Sequence, residues 1–125
     1  MKKIFYFLLM LCGSFMQSCD VDTTKQLQKK WIANQVVIGP QKVNAEVLGG
    51  VWYEFKEDNT FASSWGAELK KGKWSYDKNS NKLSLTFDSS KAVIEASVIN
   101  ITSDSLQLEY SENELKRTLF LYAEK

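Results

Sequence analysis

Lys73-Trp74-Ser75-Tyr76-Asp77-Lys78-Asn79-Ser80-Asn81-Lys82-Leu83-Ser84-Leu85-Thr86-Phe87 is the stretch that decides the fold class. Leu83, Leu85 and Phe87 alternate with Ser84 and Thr86, the period of two expected of a strand with one buried face. Trp74 and Tyr76 alternate with Lys73 and Ser75 in the same way. Asp77 to Asn81, between the two runs, consists of residues whose side chains bond to their own backbone in turns. The stretch therefore reads as a β-hairpin.

The same pattern extends outward in both directions. Val51–Phe55 and Thr60–Trp65 flank Lys56-Glu57-Asp58-Asn59, a second hairpin in which Phe55 and Phe61 would meet across the pair. Ser105–Tyr110 and Leu115–Ala123 flank the turn Ser111-Glu112-Asn113-Glu114. Trp31–Ile38 and Ala92–Ile101 bring the total to about eight strands. All connections are short turns except Gly39–Gly50, the one segment long enough to act as a lid. Thr24–Lys30 has a plausible N-cap and good helix formers but a single apolar residue, so it supports a short helical turn. Eight sequential antiparallel strands predict an all-β fold, an eight-stranded antiparallel up-and-down barrel, because closure removes exposed edges. Ala92–Ile101 and Thr118–Ala123, apolar on both faces, favour closure over the alternative of an open sandwich.

The amino terminus has a different character. Met1-Lys2-Lys3 precedes the apolar run Ile4–Cys12, with the smaller Gly13-Ser14 after it, the layout of a secretory signal. The run falls short of the roughly 20 apolar residues of a membrane-spanning helix. It ends Met16-Gln17-Ser18-Cys19, which resembles the bacterial lipoprotein processing box: a small residue, then a Cys that receives diacylglycerol and becomes the new amino terminus. Met16 and Gln17 stand where that box usually carries Leu and Ala or Ser. Cys12, the rival, follows bulky Leu11 and would leave too short an apolar region. The expected organisation is a signal peptide over 1–18, a lipidated tether over 19–24 and a barrel domain over 25–125.

Composition excludes several function classes. The chain has 125 residues with 16 Lys and Arg against 15 Asp and Glu, so no basic excess is available to hold nucleic acid. Loss of Lys2 and Lys3 leaves a mature charge of −1, so acyl chains rather than charge have to hold the bilayer. There is no His, which removes the usual general base, the Ser-His and Cys-His pairs and the commonest zinc ligand. The adjacent carboxylates Glu57 and Asp58 fall in a turn beside Lys56, and Glu68–Lys73 has too few glycines for a phosphate loop. The expectation is a protein that is not an enzyme, with no catalytic residue, no metal site and no cofactor.

These features together resemble the small lipocalin-like lipoproteins of Gram-negative bacteria, the Bacteroidetes type in particular. The matching elements are Cys19, the short helical turn, Trp31 opening the first strand, the hairpin Tyr53–Phe61 and Gly72-Lys73-Trp74, similar to a recurring Gly-x-Trp. The resemblance implies a lipid-anchored protein of the outer membrane in the cell envelope, its leaflet left open by Asp20. It also implies a structural pair: an indole on the first strand, Trp31, stacked against an Arg late in the last, Arg117. Lys29 stands where that pattern has Gly.

After the signal the chain keeps four Trp, four Tyr and four Phe. Alternation places Tyr53, Phe55, Phe61, Trp65, Trp74, Tyr76 and Leu85 on the inner face as candidates to line a ligand cavity. A barrel of eight strands is also narrow enough to be filled by its own side chains, and the two readings stand side by side. Trp52, on the opposite face with Glu54 and Lys56, is a candidate surface contact or lies under Gly39–Gly50. The favoured reading is a monomeric lipoprotein that binds a small hydrophobic molecule. The rival is a non-catalytic scaffold that binds a protein or polysaccharide through its loops. Inhibition of a secreted hydrolase is weaker, because the chain lacks the Ser-Gly-x-x-Tyr loop of barrel inhibitors.

Overall fold

Strand alternation governs the structure almost from its first residue to its last. In a computed structural model, which describes residues 22–124, helix α1 (Thr23–Leu27) leads into nine strands and one 3-10 turn. The strands are β1 (Lys30–Ile38), β2 (Gln41–Asn44), β3 (Val51–Phe55), β4 (Thr60–Trp65), β5 (Glu68–Asp77), β6 (Lys82–Phe87), β7 (Val93–Ile101), β8 (Ser105–Glu112) and β9 (Leu115–Ala123). The 3-10 turn spans Ala45–Leu48. The signal segment 1–18 and the first half of the expected tether, residues 19–21 with Cys19, lie outside the described residues. The tether ends earlier than expected, because Asp22 caps α1 by accepting from the Thr24 N–H at 3.1 Å, so the fold begins there and not at residue 25.

From β3 to β9 each strand pairs antiparallel with the next, β9 returns to β1 and β1 to β3, which closes an eight-stranded barrel. The ninth strand, β2, is the difference from the sequence reading. Gly39–Gly50 is no lid: Gly39 and Pro40 turn the chain, and Gln41–Asn44 runs back along Ile38–Gln35. This is needed because β1 pairs with β3 only over Lys30–Ile32 and then parts from it. The β1–β2 hairpin and the 3-10 turn, with Ala45 buried and Leu48 against the core, fill the opening.

Two bulges keep the inward pattern intact. In β1 a shift between Ala33 and Gln35 moves the buried positions from Trp31 and Ala33 to Val36, and a shift between Val98 and Asn100 bends β7. Among the described residues the core runs from Leu27 to Leu121, and every barrel strand has two neighbours. Residues 22–124 are therefore a self-contained folding unit.

The ends of the barrel differ. At one end α1 closes the opening: Leu27 is fully buried, and the Trp31 indole donates to its carbonyl at 3.1 Å. The section above this cap is filled by aromatic rings. Phe55 packs on Trp74 at 5.4 Å between centroids and on Phe61 at 6.5 Å, and Phe61 meets Phe87 edge-on at 5.4 Å. Trp74 is pinned by its indole N–H, which donates to the Lys56 carbonyl at 3.0 Å. Gly72 makes this packing feasible. It faces inward on the rung between Phe61 and Phe87, and a Cβ there would lie 2.0 Å from the Thr86 oxygen and 2.8 Å from the Phe61 ring. The two rings meet in the space its missing side chain leaves.

Candidate functional site

The other end of the barrel is open. Beyond Phe87, the strand ends and the turns at 66–67, 88–92 and 113–114 surround a chamber of about 470 Å³. Its floor is made by Tyr53, Ser63, Phe87 and Tyr110, all buried. Trp65, Ile94 and Arg117 form the walls. Glu68, Lys70, Glu95 and Glu112 stand around the rim. Among the described residues no group of carboxylates comes together in a way that could hold a metal ion.

The inward direction of the floor and wall side chains follows from their strands. Tyr53 lies between buried Val51 and Phe55, Ser63 and Trp65 continue the phase of Phe61, and Arg117 continues that of Leu119 and Leu121. Arg117 is held on several sides. Its guanidinium carbon lies 5.8 Å from the centre of the Trp65 ring, and one terminal nitrogen is 3.7 Å from a Glu112 carboxylate oxygen. Its Nε is, among the described residues, the one buried side-chain polar atom with no hydrogen-bond partner. The Lys70 ammonium sits 5.3 Å from the centre of the Phe87 ring at the mouth.

Burial pushes the Tyr53 phenol well above the ordinary tyrosine range, and neighbouring Tyr110 acts in the same direction. Tyr110 is raised as well, first by burial, with Arg117 opposing the shift. Both phenols are therefore neutral hydroxyls at physiological pH, able to donate or accept.

The structure divides the expected cavity residues into two groups. Tyr53 and Trp65 line the chamber. Phe55, Phe61, Trp74 and Leu85 are packed into the closed half instead, where rings of this size fill the section of an eight-stranded barrel. Tyr76 lies near the closed end, where its hydroxyl bonds the Asn81 side chain, which in turn donates to the Val98 carbonyl at 2.6 Å. Filled barrel and cavity are thus both present, one above the other.

The expected stack of Arg117 on Trp31 does not form. In the antiparallel β1–β9 ladder Trp31 faces Ala123 while Arg117 faces Ile38. At about 3.3 Å per residue the two side chains are roughly 20 Å apart along the barrel. Lys29 supplies the cation instead, its ammonium 5.2 Å from the centre of the Trp31 ring. Trp52 is half-buried on the outer face with the Lys30 ammonium 4.5 Å from its ring centre.

Sequence reasoning missed Ser63, Tyr110 and Glu112 as a group with Arg117. The signal for them lay in alternation carried one rung further: Tyr110 follows Leu106 and Leu108, and Arg117 precedes Leu119 and Leu121, on one face of each strand.

Compared with known proteins, residues 32–124 match the model of a family described as lipocalin-like domain (DUF4923). No curated protein and no solved structure matches the chain.

Proposed function

Because the chain belongs to the lipocalin-like domain family DUF4923, we propose that it is a membrane-anchored lipoprotein of the cell envelope that binds a small, largely hydrophobic molecule in its barrel and catalyses no reaction on it. The open chamber of about 470 Å³ carries this reading, since it falls within the range of small-molecule sites and combines aromatic walls with a few polar groups. The absence of His from the sequence supports binding over catalysis. Anchoring rests on Ser18-Cys19 at the end of the apolar leader. Residue 19 lies just ahead of α1, the cap of the closed end, so an anchored domain would turn its mouth away from the bilayer.

The test uses the self-contained domain in a form beginning at Asp20, titrated with the uncharged dye N-phenyl-1-naphthylamine. Saturable binding of one dye per chain is expected. Ser63→Leu, which fills the floor, should weaken it about tenfold or more, while Trp74→Phe, in the packed half, should leave it within about twofold. Absence of dye binding by the folded protein refutes the binding reading. For anchoring, the full chain with Cys19→Ala should leave the membrane fraction. Unchanged membrane association and gel mobility would refute lipidation.

A further inference from the structure

We infer that the chamber takes an amphipathic monoanion, an apolar body bearing one carboxylate or sulfonate, which enters head first and places its anionic group on Arg117. The inference deepens the binding reading above and rests on it.

Three observations carry it. First, the Arg117 Nε–H is a buried donor with no acceptor. Buried donors are almost always paired, so an unpaired one marks a guanidinium whose hydrogen-bonding capacity the protein itself leaves partly unused. Second, the guanidinium is fixed but not saturated. Trp65 holds one face of it, whereas its one carboxylate neighbour among the described residues, Glu112, is 3.7 Å away at a single nitrogen. A guanidinium fork that grips a carboxylate does so with paired contacts of about 2.7–2.9 Å, so the fork has unused capacity. Third, the surroundings sort by depth. Hydroxyls of Tyr53, Ser63 and Tyr110 lie at the floor beside Arg117, so donors for an anion are deep. Apolar surface continues outward along Ile94, on the inner face of β7. A ligand with its charge inward and its apolar body outward matches that order.

The charge of the ligand follows from the rim. Glu68, Glu95 and Glu112 surround the entrance with Lys70 as the counterweight, so a dianion such as phosphate meets more repulsion than one guanidinium offsets. A monoanion meets less. Glu112 competes with it for Arg117, and this sets the sign of a second test.

The test compares two dyes that share one ring system: 8-anilinonaphthalene-1-sulfonate, and N-phenyl-1-naphthylamine, which lacks the sulfonate. The form beginning at Asp20 should bind the sulfonate at least about tenfold more tightly than its uncharged partner. Arg117→Gln should abolish that preference by weakening the sulfonate dye, whereas Trp74→Phe, in the packed half, should keep it. Glu112→Gln should tighten sulfonate binding several-fold, an effect no unfolded variant would give. Equal affinity for the two dyes in the parent protein overturns the inference and leaves the binding reading standing; binding of neither dye removes both. Loss of the uncharged dye in Arg117→Gln, with the circular dichroism spectrum unchanged, overturns it too, since Arg117 would then shape the chamber and not hold an anion. Displacement of the sulfonate dye by millimolar inorganic sulfate also overturns it, because the site would then be one for free inorganic anions.

Discussion

Replacing Gly72 with Ala tests how the packed half of the barrel is held together. The added Cβ would stand 2.0 Å from the Thr86 oxygen, against an ordinary carbon–oxygen approach of about 3.3 Å, and 2.8 Å from the Phe61 ring. The oxygen belongs to the backbone of β6, so about 1.3 Å of relief has to come from separating β5 from β6. Gly72 and Phe87 form a non-hydrogen-bonded pair, so parting them breaks ladder bonds on the rungs either side, among them the Asp88 N–H to the Lys71 carbonyl at 3.0 Å; losing two such bonds costs about 2 kcal/mol, at about 1 kcal/mol each. Displacing Phe61 from its edge-on contact with Phe87 adds about 1–3 kcal/mol of overpacking. The expected destabilisation is about 3–5 kcal/mol, a large share of the 5–15 kcal/mol typical of a domain. Urea denaturation followed by Trp fluorescence measures it directly, and a melting temperature lowered by more than about 12 °C should accompany it. Because Phe87 is also part of the chamber floor, binding of N-phenyl-1-naphthylamine should weaken in the same variant. A loss below about 1 kcal/mol with dye affinity unchanged would refute the account, since the strands would then be free to part without cost.

Two further perturbations act near the mouth. Asn113 and Glu114 form the β8–β9 turn with φ of 53° and 66°, and the second of these is strained for a glutamate, so Glu114→Gly should stabilise the domain by about 1 kcal/mol, read as a melting temperature raised by about 4 °C. No rise, or a fall, would show that the turn carries no such strain. Alkaline pH acts on Tyr53 and Tyr110, whose folded pKa values both lie above the ordinary 10.0. A phenol raised on folding contributes stability that is complete below its unfolded pKa and is lost as pH rises through its folded pKa. Stability should therefore fall above about pH 10 more steeply than in Tyr53→Phe, and equal pH slopes in the two proteins would count against the burial of that hydroxyl.

The barrel was legible because most strands have one dry face. Leu83-Ser84-Leu85-Thr86-Phe87 and Leu106-Gln107-Leu108-Glu109-Tyr110 alternate without exception in sequence and in burial. Where the pattern failed, a second force had intervened. β2 was missed because Gln41–Asn44 lies outside the closed barrel, where no position is buried and no alternation is enforced. The partner of Trp31 was misplaced because residue type says nothing of register: an Arg late in the chain had the right chemistry, and the β1–β9 ladder puts it at the opposite end. Division of the inner face into packed and open halves was equally hidden, since Phe55 and Tyr53 have the same phase and differ only in distance from the α1 cap.

The first half of β5 shows how such a chamber leaves a trace in the sequence. Glu68-Leu69-Lys70-Lys71 is exposed at every position, and the sequence reading began the strand only at Lys73. Its hydrogen-bond ladder to Trp65, Ser64, Ser63 and Ala62 is nonetheless continuous. The strand is wet on both sides because its inward face, at Lys70, meets the chamber and not a packed core. A closed barrel predicts alternation along each strand, and a cavity open to solvent removes the apolar half of that alternation at its rim. The polar run before Gly72 and the charged ends of β8 and β9, Glu112 and Arg117, are the same effect on three strands. Loss of the strand pattern at one end of several neighbouring strands thus marks the end at which the barrel is open.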